Sequence, residues 1–186
     1  MREGWKKYRL SDIAEFHNSK RIPLNSRERE NQKGTFPYYG ASGIVDYVND
    51  FIFDGDYVLI SEDGENLRSR NTPIAFKVSG KFWVNNHAHI VKGKESFIND
   101  WIVYFFQNLD LNPFITGAVQ PKLNKENLQL IEITIPEFSK AKKISSILSA
   151  NDSKIEKAKS RLNKLQDMKK GLMQDLLTGK VRVKMK

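Results

Sequence analysis

The stretch SKAKKISSILSANDSKIEKAKSRLNKLQDMKKGLMQDLLTGK, residues 139–180, decides the fold. Ile144, Leu148, Asn151, Ile155, Ala158, Leu162, Leu165, Lys169, Leu172 and Leu176 follow one another at alternating spacings of four and three. All but Asn151 and Lys169 are apolar. That period is the seam of a coiled coil. No proline interrupts it, and Gly171 inside it costs roughly 1 kcal/mol against alanine. Gly179 is placed to cap the C-terminus. At a rise of about 1.5 Å per residue the helix is roughly 60 Å long. Such a seam is buried only against a partner, either a second helix or the chain's own globular part.

The register favours an antiparallel copy of the same helix, paired about a point near residue 160. Ile144 then meets Leu176, Leu148 meets Leu172, Ile155 meets Leu165, and Ala158 meets Leu162. Asn151 meets Lys169, so both polar members share one layer and the lysine stem carries its charge out to water. A parallel pair would stack Lys169 on Lys169. A one-heptad slip would set each polar residue against an apolar one. The polar pair therefore specifies direction and register at some cost in stability. Lys159 and Arg161 flank the midpoint and must splay outward or meet an anion. Ile147, Met168 and Met173 flank the seam and widen its apolar surface.

The chain has 186 residues, enough for one ordinary domain plus this helix. It has no cysteine, which excludes disulfides and cysteine metal sites. The charged N-terminus MREGWKKYRL lacks the apolar core of a secretory signal. No run of 18 apolar residues spans a membrane, so a cytoplasmic protein is expected. The net charge of +9 is unevenly placed. Residues 1–138 hold 17 basic and 18 acidic residues, and residues 139–186 hold 14 and 4. A basic helix suggests an anionic partner, nucleic acid above all, though a solvated lysine face has the same composition.

Upstream of the helix the sequence is rich in strands and turns. Residues 5–16 carry Trp5, Tyr8, Leu10, Ile13 and Phe16, with Ser11 or Asp12 as the expected cap of a short helix. Residues 17–34 read as a polar loop. Residues 35–48 read as two strands around a turn at 40–43, and 57–61 as a buried strand. A loop follows at 61–73. Two strands joined at Gly80 come next, with Ile74, Phe76 and Val78 on one face. An amphipathic helix starts at Ser96, with Phe97, Trp101, Ile102, Phe105 and Leu109 inward. A loop leads to a strand at 128–136. The expected architecture is α+β: a mixed, strand-rich globular domain over 1–138, one long C-terminal coiled-coil helix over 139–180, and a tail at 181–186.

No set of residues makes a convincing active site. His87 and His89, two apart on a strand, share a face as metal ligands can, but no third ligand is evident. Glu62 and Asp63 precede a glycine, which suits a turn or an acceptor for a cytosine amino group. Asn112–Pro113–Phe114 lacks the second proline of the amino-methyltransferase motif. A glycine-rich turn for S-adenosylmethionine is also missing, as is a Walker motif.

An ordered set of short pieces resembles the specificity subunit of type I restriction–modification systems. The pieces are Trp5 with LSD at 10–12, PYYGASGI at 37–44, DGDYVLI at 54–60, and EDG at 62–64. NNHAH at 85–89, TGAVQPKL at 116–123 and KGLMQDLLTGKVRV at 170–183 complete it. The resemblance implies a non-catalytic target-recognition domain followed by a spacer helix. In that family two such units pack their helices antiparallel, and each domain reads half of a split site in double-stranded DNA. Methyltransferase subunits, which bring S-adenosylmethionine, dock on this scaffold, and restriction–translocation subunits join. One unit is present here, so the expectation is a homodimer on a symmetric site. The alternatives are a recombining or orphan cassette that pairs with a different unit, and an enzyme with an unrecognised site.

The DNA-reading residues are expected in three loops. They are Lys20, Arg21, Arg27 and Arg29 in the first, Arg68, Ser69, Arg70 and Asn71 in the second, and Gln120 and Lys122 in the third. Tyr39, Ser42, Asn86 and His87 either touch the DNA backbone or hold the fold. The ten seam residues form the dimer interface.

Overall fold

The computed structural model describes residues 3–183. Contacts divide the chain into two units, Met1–Ser145 and Ser146–Lys186.

The first unit is built on the buried run YVLIS. All five residues of β6 (Tyr57–Ser61) are buried, so its sheet is covered on both faces. β6 lies in a four-stranded sheet with β2 (Ala14–Phe16), β7 (Ala75–Val78) and β9 (Ala88–Gly93), in the order β2-β9-β6-β7. Side chains alternate across β6. Val58 and Ile60 enter the larger core with α4 (Ser96–Asn108). Tyr57 and Leu59 enter a second core with Phe53, Phe82 and Val84. Those three belong to a second sheet, ordered β4-β3-β8-β5. It is made of β3 (Lys33–Gly40), β4 (Gly43–Val48), β5 (Phe53–Asp54) and β8 (Lys81–Val84). A short ribbon pairs β1 (Trp5–Arg9) with β10 (Glu132–Pro136).

Several elements depart from the sequence reading. Residues 5–16 form β1, then α1 (Leu10–Ile13), then β2. Neither Ser11 nor Asp12 caps α1. Arg9 stands at the cap position, and the Asp12 carboxylate accepts from its N–H at 3.2 Å. The polar stretch 17–34 contains a short 3-10 turn and α2 (Ser26–Asn31). The α2 helix is set by a reciprocal cap: Glu28 N–H donates to Asn25 Oδ1 and Asn25 N–H to Glu28 Oε2. The loop at 61–73 holds α3 (Asn66–Ser69). The two strands expected around Gly80 are three, because the chain leaves β8 after Val84 and re-enters the other sheet as β9. Ile74 packs in the larger core, whereas Phe76 and Val78 face the second. The expected strand at 128–136 begins as α5 (Lys125–Leu130), because the Asn124 side chain accepts from Asn127 N–H and starts a helix. In α4 it is Phe106 that is fully buried, while Phe105 and Leu109 are half-buried.

The long helix α6 runs Phe138–Leu177. Its first turns belong to the globular unit: Ala141 and Ser145 are buried, and Ile144 packs on the larger core. Gly179 adopts φ +74° and its N–H reaches the Leu176 carbonyl at 3.3 Å, the capping role read from the sequence. Of the expected tail, residues 184–186 lie outside the described residues. No helix among the described residues is long and apolar enough to cross a membrane.

Candidate functional site

Four segments far apart in sequence meet around one carboxylate, Glu62, and a fifth is tied to its neighbour Ser61. Arg21 Nη1 donates to Glu62 Oε2 at 2.5 Å, and the two side chains are only 16% and 12% exposed. The same guanidinium donates to the carbonyls of Asn18, Asn86 and Ala88. Lys122 Nζ lies 3.5 Å from the other carboxylate oxygen. The Glu62 backbone binds His87 O and Leu123 N–H. The turn at 40–43 is tied in as Ser61 Oγ donates to Ala41 O and Asn85 N–H to Tyr39 O. Segments 17–21, 40–43, 61–70, 85–89 and 116–123 are thus cross-linked into one face.

His89 is fully buried beside this centre. Its Nε2 lies 2.7 Å from the Leu123 carbonyl, which can only accept, so Nε2 carries the hydrogen. Asn18 Nδ2 then donates to Nδ1 at 2.7 Å. Burial pushes the His89 pKa below its ordinary value, against the pull of the Leu123 bond and the Glu62 charge. Burial acts on Glu62 in the raising direction, but the Arg21 bond and the surrounding charges hold its carboxyl below the ordinary value. The pair at neutral pH is a carboxylate against Arg21 beside a neutral imidazole. With both ring nitrogens occupied, His89 is not a metal ligand partner for His87. His87 sits outside β9, exposed, and bonds the Asp63 carboxylate through Nδ1 at 2.9 Å.

The residues nominated from sequence fall into distinct places. Gln120 and Lys122 are exposed on the face around Glu62, as are Arg68 and Ser69 beside them. Arg68 Nη1 and Nη2 donate to Ala118 O and Gly117 O, bracing the third loop. Lys20 is exposed beside Arg21. Arg21 is the internal tie just described. Arg29 is also internally bound: it pairs with Asp46 at 3.2 Å, donates to Leu24 O, and lies over the Tyr38 ring. Arg70 is the single non-glycine residue at positive φ among the described residues. Its guanidinium donates to the carbonyls of Phe106, Gln107 and Leu109 at the C-terminal end of α4. Arg27 and Asn71 are exposed away from these contacts. Of the remaining nominees, Ser42 and Asn86 are exposed on the assembled face, while the Tyr39 ring packs between Phe76 and Phe82.

Glu62, Asn18 and Asp63 organise the face and were not nominated for that role. A carboxylate before a glycine looks like turn chemistry until its three cationic or imidazole neighbours are brought in from other segments.

On α6, Leu148, Ile155, Leu162, Leu165, Leu172 and Leu176 are each between 39% and 54% exposed. Ala158, Asn151 and Lys169 are exposed among them. The Asn151 amide donates to Ile147 O, one turn earlier.

The chain is similar in fold to solved specificity subunits of type I restriction–modification systems. The S subunit from M. genitalium superposes with a TM-score of 0.73 at 11% identity, over 92% of this chain and 45% of that one. The HsdS subunit from Thermoanaerobacter tengcongensis gives 0.56 at 14% identity, over 94% and 45%. These likenesses establish the fold. The family model for the type I restriction modification DNA specificity domain matches residues 2–167, and the chain belongs to that family. A putative type I restriction enzyme specificity subunit of Haemophilus influenzae is 41% identical over 141 residues, 76% of this chain and 36% of that one. The specificity subunit of the type I restriction enzyme EcoprrI of Escherichia coli is 25% identical over 149 residues, 80% of this chain and again 36% of its own length. The chain therefore spans about a third of the length of these relatives.

Proposed function

We propose that the chain is a non-catalytic DNA-reading unit of a type I restriction–modification enzyme. The observation that carries this reading is the fastening of five segments into one polar face. Interior groups hold that face, and Lys20, Ser42, Arg68, Ser69, Asn86, Gln120 and Lys122 are left exposed on or beside it. Lysines and arginines supply phosphate contacts that fix register, and amide and guanidinium groups read base edges. Arg21, Arg29 and Arg70 support the domain rather than touch bases.

The unit reads one half of a bipartite site, and a second copy reads the other. The row of half-exposed leucines on α6 supports pairing, since such a stripe is unfavourable in water unless covered. Antiparallel pairing places Asn151 with Lys169 and covers Leu148, Ile155, Ala158, Leu162, Leu165, Leu172 and Leu176. Ile144 already packs on its own domain and contributes less. A twofold dimer matches a twofold target. Methyltransferase subunits carrying S-adenosylmethionine, and restriction–translocation subunits, complete the cytoplasmic enzyme.

The test is the methylated motif in the host genome with and without this gene. Loss of one symmetric bipartite motif on deletion supports the reading, and an unchanged methylome refutes it. Light scattering on the purified chain separates a homodimer from pairing with a different unit, which would leave this chain monomeric alone.

A further inference from the structure

Val119 is 97% exposed, more than any other large apolar residue among the described ones. A single exposed valine is ordinary on a mobile loop. Here the loop is fastened at every side. Thr116 and Lys122 exchange both backbone hydrogen bonds at 2.8 Å, and Thr116 Oγ1 adds a third to Lys122 O at 3.1 Å. Gly64 N–H donates to Pro121 O at 3.0 Å, and Arg68 clamps the carbonyls of Gly117 and Ala118. Gly117 sits at φ +83°, and a Cβ there would lie 2.2 Å from Gln120 O, so the tip is closed on itself. The fold holds an aliphatic group out in water, between the Arg68 clamp and the exposed Gln120 amide.

A rigid apolar tip beside an amide suits a ligand that is polar except for one apolar spot. On the base edges of unmodified duplex DNA that spot is the thymine methyl, in the major groove. An adjacent glutamine matches the N6 and N7 of adenine. We infer that Val119 and Gln120 together read an A·T pair, with Val119 on the thymine methyl and Gln120 on the adenine edge. Val119 is then a specificity-determining residue beyond the polar residues already nominated. The inference rests on the proposed DNA-reading function.

The experiment uses the full chain and a duplex selected by it from a random-sequence pool. Each thymine in the selected duplex is replaced in turn by uracil, which lacks the methyl, and each adenine by 7-deazaadenine, which lacks N7. One uracil position weakens binding by the wild-type chain about fourfold, the worth of one buried methyl-sized group. Val119→Ala binds the unmodified duplex about as weakly and is indifferent to uracil there. Gln120→Ala is indifferent to 7-deazaadenine in the same pair. Melting temperatures of both variants equal to wild type show that the fold is intact, as expected for exposed side chains. Sequence-selective binding with no uracil position coupled to Val119 overturns this inference and leaves the DNA-reading function standing. Failure of the pool to yield any preferred duplex overturns both.

Discussion

Arg70 separates a structural arginine from a reading one. Its guanidinium donates to three carbonyls that end α4, and its own backbone is left-handed at φ 51°. Arg70→Ala removes a charged donor from a helix C-terminus, where one charge-assisted bond is worth about 1.5–3 kcal/mol and the favourable dipole a further fraction. The three bonds share one side chain and are not additive, and Gln107 is exposed, so its carbonyl regains water. The expected loss is about 2 kcal/mol, a fall of about 4–8 °C in melting temperature for a unit of this size. Arg70→Gly loses the same bonds but relieves the left-handed backbone, and is expected to be about 1 kcal/mol more stable than the alanine variant. Urea unfolding of the three proteins, with DNA affinity measured well below the transition, decides the matter. Stability unchanged in Arg70→Ala together with lost DNA affinity would refute this account and return Arg70 to the reading surface.

Glu62→Gln leaves the nearly buried Arg21 without its carboxylate and is expected to cost about 2–3 kcal/mol in denaturant unfolding; an unaltered midpoint would show that the five segments do not depend on it. Stability should also fall with acid in two stages. The folded pKa of His89 lies below 6.5 and that of Glu62 below 4.5, so the unfolded chain binds more protons in each window. Stability is complete above about 6.5, falls as His89 is forced to charge, and falls again below about 4.5 as Glu62 protonates against Arg21. His17, also lowered chiefly by burial, shares the first window, so the comparison is with His89→Gln, whose upper-stage slope should be shallower than wild type. In the proposed dimer, Leu162→Lys places a further cation beside Lys159 and Arg161 at the centre of the helix pair; light scattering is expected to report a dimer for the wild type and a monomer for the variant at the same concentration. Asn151→Leu combined with Lys169→Leu should raise the stability of the proposed dimer while relaxing its direction, seen as parallel as well as antiparallel disulfides between cysteines introduced at one helix end.

The local and periodic features were legible in the sequence. The run at 57–61 is apolar without alternation, which already says that its sheet is covered on both faces. The seam of α6 has a period only a helix satisfies, and Gly179 marks its end because a left-handed cap there needs no Cβ. The helices α2 and α5 were legible in principle, through Asn25 with Glu28 and through Asn124, but short helices carry little periodicity to announce them. Long-range partnership was not legible. Arg21, Arg29 and Arg70 have the composition of a DNA-binding loop, and only the positions of Glu62, Asp46 and the end of α4 turn them inward. An arginine's role depends on which acceptor lies within about 3 Å, and these acceptors come from residues 17 to 41 positions away. The sequence determined the strands at 35–48 and 57–61, the long helix and its unsatisfied stripe, because those follow from the spacing of side chains along one segment. The tertiary structure alone decided which polar groups are left to face a ligand, because each charge is claimed by whatever the fold brings beside it.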